Sequence, residues 1–192
     1  MTLYRLSAFS DGARGGNPAG VHIGDTLPDD AGMQRIAADL GFSETAFAAP
    51  ITGGWRVRYF APMGEVPFCG HATLALRSRA DLARMAYDFE TGRRLMLEHG
   101  LVTIALVHAG GVRHFDVRNA FASGGVAEDP ATGAAAAAFA GYLRDLGWPH
   151  GGAVEILQGH DMGAPSRLHV GIGPGSGESV RVSGATFRID AA

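Results

Sequence analysis

Three titratable side chains of this chain lie in settings that could support proton transfer: Glu44, His71 and Asp129. Glu44 lies between Phe42 and Phe47, in a segment whose composition predicts burial. Burial raises the pKa of a carboxyl group, and a general acid or base that works near neutral pH needs such a pKa. Ion pairing of Glu44 with a nearby arginine is the structural alternative.

His71 and Asp129 each precede a run of small residues that predicts the start of a helix. One helix is expected to begin at His71. In the other, Asp129 would be the N-cap and Pro130 the first helical residue of a helix ending near Leu146. Helix N-termini offer unpaired N–H groups and a partial positive charge, so two such ends facing each other would bind an anion. Together with the acids, they predict proton transfer on a small carboxylate.

Structural roles stay open for each of these residues. Most single histidines are structural or exposed, although a helix start favours the neutral ring, which can relay a proton. Asp129 could simply cap its helix, which stabilises a helix by about 1 kcal/mol. Glu44 could pair with Arg56 or Arg58.

Several short motifs occur in an order that resembles the PhzF-like proteins, the phenazine-biosynthesis isomerase family. They are Asn17-Pro18-Ala19-Gly20, Ser43-Glu44-Thr45, Cys69-Gly70-His71-Ala72-Thr73, Glu128-Asp129-Pro130-Ala131-Thr132-Gly133, and Gln158-Gly159 followed by Met162-Gly163 and Pro165-Ser166. The resemblance implies that Glu44 is the catalytic proton-transfer residue and that His71 and Asp129 share its active site. It further implies that the substrate contacts Asn17, Gly70, Gly133 and Ala134.

The resemblance also implies a fold, the diaminopimelate-epimerase-like α+β fold. That fold has two related halves, each a curled mixed sheet around a central helix, with the active site between them. The expected halves are 1–76, which contains Glu44 and His71, and 77–192, which contains Asp129. A homodimer is expected on the same ground.

The middle of the chain departs from the family pattern. Leu74-Ala75-Leu76 runs almost directly into 77–82, which resembles a late segment of the family. We therefore expect an internal deletion that removes strands, exposes edges and part of a central helix, and is compensated by dimerisation or strand exchange or else leaves a marginal protein.

Three further positions bear on the chemistry. Cys69 is the only cysteine, so a racemase that uses two thiols is excluded, and a small buried filler is the better interpretation of Cys69. Ala134 stands where the family commonly has a serine that binds the substrate carboxylate. Ala164 stands where the family has an arginine, and both changes lean away from tight carboxylate binding.

The elements that must position these residues follow from periodicity and turn residues. Pro28-Asp29-Asp30 opens a helix that Gly41 ends. A second helix, or two, is expected between Asp81 and His99. Strands are expected at 3–9, 19–23, 45–49, 55–60, 101–107, 112–117, 154–157, 167–172, 179–182 and 186–189. Strands without regular β-α-β alternation favour an α+β fold.

Composition excludes several classes of protein. Of the 192 residues, 46% are hydrophobic and 18% charged, which indicates a well-buried globular protein. A net charge of −3 gives no basic face for nucleic acid. One cysteine with scattered histidines shows no zinc-site spacing, and no apolar stretch is long enough to span a bilayer. We expect a cytoplasmic protein without metal, cofactor, nucleic-acid partner or membrane partner.

The sequence thus predicts a cofactor-independent isomerase that moves a proton on a small carboxylate-bearing, ring-type or unsaturated substrate. The resemblance gives trans-2,3-dihydro-3-hydroxyanthranilate as the example. The alternative is a degenerate, non-catalytic relative that acts as a small-molecule binding or interaction module.

Overall fold

The computed structural model of the chain describes residues 2–66, 71–76 and 78–189. These residues form thirteen β-strands and four α-helices. The strands are β1 (Thr2–Ser10), β2 (Asn17–Ile23), β3 (Glu44–Ile51), β4 (Gly54–Ala61), β5 (Gly64–Glu65), β6 (His71–Ala75), β7 (Thr103–Gly111), β8 (His114–Ala120), β9 (Glu128–Asp129), β10 (Ala153–Gln158), β11 (Ser166–Ile172), β12 (Val180–Ser183) and β13 (Ala185–Arg188). The helices are α1 (Asp30–Leu40), α2 (Arg79–Ala83), α3 (Phe89–Glu98) and α4 (Gly133–Asp145).

All described strands belong to one mixed sheet whose order is β5-β4-β3-β2-β1-β11-β10-β8-β7-β6. Strands β12, β13 and β9 lie off this path and pair with β11, β1 and β8. β1 connects the two ends of the chain, since it pairs antiparallel with β2 and β13 and meets β11 at Ser10 and Ser166. The strand-rich α+β architecture expected from the sequence is confirmed.

The N-terminal strands pack against α1 on one face. The Asp29 carboxylate caps this helix by accepting a hydrogen bond from the Gly32 N–H at 2.8 Å, and Gly41 ends it with φ +66°. Gly41 adopts this left-handed conformation without the penalty that a Cβ would bring. Met33 of the helix joins Ala37, Phe47 and Phe60 in a buried cluster. The helix predicted from Pro28 to Gly41 is therefore confirmed.

The largest core surrounds α4. Phe139 and Leu143 of this helix pack among buried side chains of β7, β8, β10 and β11, and the Phe139 ring meets that of Phe115 edge-on, with 5.0 Å between centroids. Three helical alanines, Ala135, Ala136 and Ala140, are also buried. Small side chains let the strands approach the helix axis closely, so α4 has the character of the central helix expected for the C-terminal half.

The prediction of a helix that starts at His71 is wrong, because 71–75 form strand β6. β6 runs parallel to β7, with His71 opposite Thr103 and Ala75 opposite Val107. Only a few residues separate this stretch from α2, where the Ser78 hydroxyl accepts a hydrogen bond from the Asp81 N–H at 3.1 Å. Helix nucleation is unfavourable over so short a run, whereas β7 offers hydrogen bonds to a new edge strand. The division of the chain into halves at residue 76 stays a prediction.

The expected start of the last long helix is also wrong. Asp129 is not an N-cap, because it lies in β9 opposite Asn119, and α4 begins at Gly133 with Thr132 as its N-cap. The hydroxyl of Thr132 donates to the Asp129 carboxylate and caps no helical N–H. Tertiary partners of Asp129 thus override its local capping preference.

One face of the N-terminal sheet carries exposed apolar side chains. Phe60 is buried under α1, whereas its neighbour Tyr59 points to the opposite face, as residues alternate along a strand. Trp55 and Val57 share that face of β4, and they are 57% and 41% exposed. Exposed apolar side chains also occur elsewhere, for example Tyr142 on α4, which is 56% exposed. The internal deletion expected from the sequence stays a prediction.

None of the helices in the described ranges is both long and apolar enough to cross a membrane. The region predicted as one helix or two between Asp81 and His99 contains two, α2 and α3.

Candidate active site

Five of the seven residues expected at the active site line one pocket of about 230 Å³: Asn17, Glu44, Asp129, Gly133 and Ala134. The pocket lies where β1, β2 and β3 meet β9 and the first turn of α4. Its remaining wall is mostly apolar and includes Phe9, Tyr59 and Phe121. A few polar groups in an apolar, aromatic wall are typical of a small-molecule site.

The Asp129 carboxyl group is fully buried and held by two side chains. Asn17 Nδ2 donates to Asp129 Oδ1 at 2.8 Å, and the Thr132 hydroxyl donates to Oδ2. The Asp129 carbonyl accepts a hydrogen bond from Gln158 Nε2 at 2.7 Å. These contacts fix both the backbone and the carboxyl plane of Asp129.

The Asn17 side chain is fixed by both of its polar atoms. Its Oδ1 accepts a hydrogen bond from the Ser43 hydroxyl at 2.7 Å, and its Nδ2 also donates to the Ala131 carbonyl at 2.8 Å. The preceding turn is anchored because the Gly16 N–H donates to the Pro165 carbonyl at 3.0 Å. Asn17 therefore joins the segments that carry Glu44 and Asp129.

The Asp129 environment favours the protonated acid. Burial, and secondarily the negative charge of Glu44, raise the pKa of Asp129 to about 7. Hydrogen bonds from Thr132 and Asn17 act in the opposite direction and do not cancel the effect. The Asp129 carboxyl group can therefore hold or release a proton near neutral pH.

Glu44 is the first residue of β3, and burial raises the pKa of its carboxyl group as well. Among the described residues, none donates a hydrogen bond to this carboxyl group. Arg58, one of the two arginines considered as its partner, binds Asp30 and Glu65 instead, with N···O distances of 2.6 Å. The sequence-based alternative of a Glu44–Arg58 ion pair is wrong, and the carboxyl group is available to a ligand.

The first turn of α4 faces the pocket through Gly133 and Ala134. The Thr132 side chain donates to Asp129 and caps none of the first N–H groups of the helix. Phe9 lies against this turn with φ +58°, at an irregularity of β1 between Ala8 and Ser10. A Cβ at position 133 would come within 3.3 Å of the Phe9 ring, so glycine permits this close approach.

The other two residues expected at the active site are Gly70 and His71. Gly70 lies outside the described residues, as does Cys69. The backbone of His71 lies in β6, and its side chain is not among the described ones, so its role in the site stays a prediction.

Three residues that position the site were not assigned roles from the sequence: Ser43, Thr132 and Gln158. Each lies inside one of the motifs that carry the family resemblance. Their roles depend on contacts between distant segments, such as the pairing of the Thr132 N–H with Gln158 Oε1 at 3.3 Å. Motif membership was the available signal, but it does not reveal which atoms meet.

The chain belongs to the family described as Phenazine biosynthesis-like protein, whose profile it matches over residues 6–78 and 75–190. An uncharacterized isomerase of Halalkalibacterium halodurans is 47% identical over 73 residues, which are 38% of this chain and 28% of that relative. An uncharacterized isomerase of Deinococcus radiodurans is 43% identical over 111 residues, 52% of this chain and 36% of that relative. These matches thus cover only about a third of the length of each relative. Both relatives are named isomerases, which is the enzyme class that the sequence predicts.

Two solved structures resemble the whole fold. A predicted epimerase from Pseudomonas aeruginosa has a TM-score of 0.78 at 20% identity, and a PhzF family protein from Enterococcus faecalis has 0.73 at 17%. Each comparison covers 98% of this chain and 96% of the other. The expected diaminopimelate-epimerase-like α+β fold is confirmed.

Proposed function

We propose that the chain is a cofactor-independent isomerase that transfers a proton between two carbons of a small carboxylate-bearing substrate. The observation that carries the proposal is the pair of carboxyl groups in one apolar pocket, both with raised pKa, beside the first turn of α4. The names of the curated relatives as isomerases support the same class of reaction.

Glu44 is the proposed proton-transfer residue. Its carboxyl group lines the pocket without a protein hydrogen-bond partner among the described residues, so it can approach a substrate C–H. The carboxylate takes the proton from one carbon, the adjacent double bond shifts, and the resulting carboxylic acid returns the proton to another carbon. The substrate gains and loses one proton, so no oxidant or reductant is required.

Asp129 orients the polar groups of the substrate, together with His71. Because burial and the Glu44 charge raise the pKa of Asp129 to about 7, Asp129 can donate a hydrogen bond to the substrate as the neutral acid. This form also avoids placing two negative charges in one pocket, which would repel an anionic substrate.

The substrate carboxylate binds at the start of α4. The N–H groups of Gly133 and Ala134 lie at the positive end of a thirteen-residue helix and line the pocket. Anions bind at such helix ends because the N–H groups are unpaired and the dipole is favourable. Aromatic walls supplied by Phe9, Tyr59 and Phe121 suit a ring or unsaturated substrate body.

Incubation with trans-2,3-dihydro-3-hydroxyanthranilate in D2O, followed by NMR, tests this proposal. The expected product is the isomer, with deuterium at the newly protonated carbon in those turnovers in which the Glu44 acid exchanges its proton with solvent before returning it. Glu44→Gln should abolish the conversion, because an amide cannot accept the proton. Asp39→Asn, an exposed acid of α1, is the matched control and should leave the rate unchanged. Full activity of Glu44→Gln would contradict the mechanism.

The expected internal deletion, Ala134 and Ala164 all favour the non-catalytic alternative. Ala134 lines the pocket and lacks the hydroxyl group with which the family commonly binds the substrate carboxylate. A binding module should still be stabilised by 3-hydroxyanthranilate, a stable substrate-like carboxylate, while converting none of the dihydro compound.

A further inference from the structure

A second cavity adjoins the proposed catalytic pocket. It measures about 310 Å³, and three of its lining residues, Val66, Val102 and Phe121, also line the first pocket. The two cavities are therefore adjacent, and these three apolar side chains form the wall between them.

Arg93 supplies the positive charge of this second cavity. It projects from α3, and its Nε is buried without a hydrogen-bond partner among the described residues. A buried donor without a partner is unfavourable, and a carboxylate or another oxyanion can satisfy a guanidinium with two parallel hydrogen bonds.

The other charged residue of the cavity wall, Glu65, is already neutralised. Arg58 Nε and Nη2 bind its two carboxylate oxygens, each at 2.6 Å. Arg93 therefore remains the uncompensated charge of this cavity within the described ranges. The electrostatic preference of the cavity is for an anion.

The backbone of Arg93 is held in place by its helix. Met96 of α3 is buried against Ala120 and Ala122, and the Asp88 carboxylate caps the helix by accepting from the Thr91 N–H at 2.8 Å. Arg93 is thus presented by a docked and capped element beside the shared wall. A residue on a docked helix loses less backbone entropy when it binds a ligand than a residue on a mobile loop does.

We propose that the Arg93 cavity is a second subsite, which binds an anionic group at the far end of the substrate. The substrate class is then an apolar molecule with two anionic groups, one at the start of α4 and one at Arg93. This inference rests on the proposed function for the carboxylate at α4, and it adds the residue that selects for the second charge.

Binding of matched ligand pairs tests the subsite. Straight-chain dicarboxylates of six to twelve carbons are compared with monocarboxylates of the same length by calorimetric titration of the full chain. At one spacer length, the dicarboxylate should bind about 10-fold more tightly than its monocarboxylate partner, as expected for hydrogen bonds to a charged group. Arg93→Gln should remove this preference and leave monocarboxylate binding unchanged.

Two further variants sharpen the test. Arg94→Gln removes an exposed arginine from the next position of the same helix and should keep the preference. Arg93→Lys keeps the charge without the planar fork and should keep part of it. Equal binding of both ligand classes by the unmodified chain would overturn the subsite while leaving the α4 site intact. Failure of every carboxylate to bind would overturn the α4 site as well.

Discussion

Replacement of Asp129 by asparagine should change how the stability of the protein depends on pH. In the folded chain the pKa of Asp129 is raised to about 7 by burial and by Glu44, whereas an unfolded aspartate titrates near its ordinary value of about 3.9. Between these values the unfolded chain has released the proton and the folded chain still holds it. Rising pH therefore favours unfolding through this window, and the effect levels off above the folded pKa.

The size of the effect follows from the two pKa values. Each pH unit inside the window lowers the free energy of unfolding by about 1.4 kcal/mol, so the step from pH 5 to pH 8 should remove about 2.6 kcal/mol. Asp129→Asn cannot titrate, and its curve should lack that loss. The difference in slope is the diagnostic quantity, because the asparagine also changes the hydrogen bonds with Asn17 and Thr132 by an amount that does not depend on pH.

Urea unfolding at several pH values between 5 and 8 measures this slope. Groups that do not interact with Asp129 contribute equally to the unmodified chain and to the variant, so the subtraction removes them. Asp39→Asn, at an exposed position, should keep the slope of the unmodified chain. If Asp129→Asn loses as much stability between pH 5 and pH 8 as the unmodified chain, the assignment of the raised pKa to Asp129 is refuted.

Three further predictions concern the site and its support. Glu44→Gln should lower the pKa of Asp129, because it removes the negative charge that helps to raise this pKa. NMR titration of the Asp129 carboxyl carbon measures the change, and an unchanged midpoint would contradict the prediction. Ala134→Ser adds a hydroxyl group at the first turn of α4 and should tighten the binding of 3-hydroxyanthranilate about 5-fold, as measured by calorimetry. Equal or weaker binding would count against a carboxylate at that turn. Arg118→Gln should destabilise the fold by about 1–3 kcal/mol in urea unfolding, because it removes two hydrogen bonds from a guanidinium to the Glu128 carboxylate, which is only 8% exposed. No measurable loss would show that this ion pair is not a structural support.

Local signals in the sequence were sufficient to predict α1, and short motifs were sufficient to predict most residues of the pocket. An acid at the N-cap, helical spacing of Met33 and Ala37, and a glycine at the C-terminal end all act within a few residues of each other. The family motifs were sufficient to bring Glu44 and Asp129 into one site, although the motifs are far apart in the sequence. The prediction that Glu44 and Asp129 share a pocket did not require the path of the chain between them.

The two helix starts could not be predicted because distant partners decide them. His71 becomes part of a strand since β7, which follows two intervening helices, provides its hydrogen bonds. Asp129 does not cap the helix because Asn17, 112 residues away in the sequence, binds its carboxylate. A local pattern of small residues after an ionisable one is compatible with a helix and with a strand, and tertiary contacts select between them.

The observed positions of His71 and Asp129 change the function expected of the site. An anion cradle was expected from two facing helix ends, but in the described part of the chain one such end, that of α4, lines the pocket. The carboxyl pair does not depend on the helix expected at His71, because Glu44 begins β3 and Asp129 is held by Asn17, Thr132 and Gln158. Proton transfer should therefore be better preserved than carboxylate affinity. A substrate held weakly at α4 would gain most from a second anchoring point, and Arg93 lies across the wall that the two cavities share.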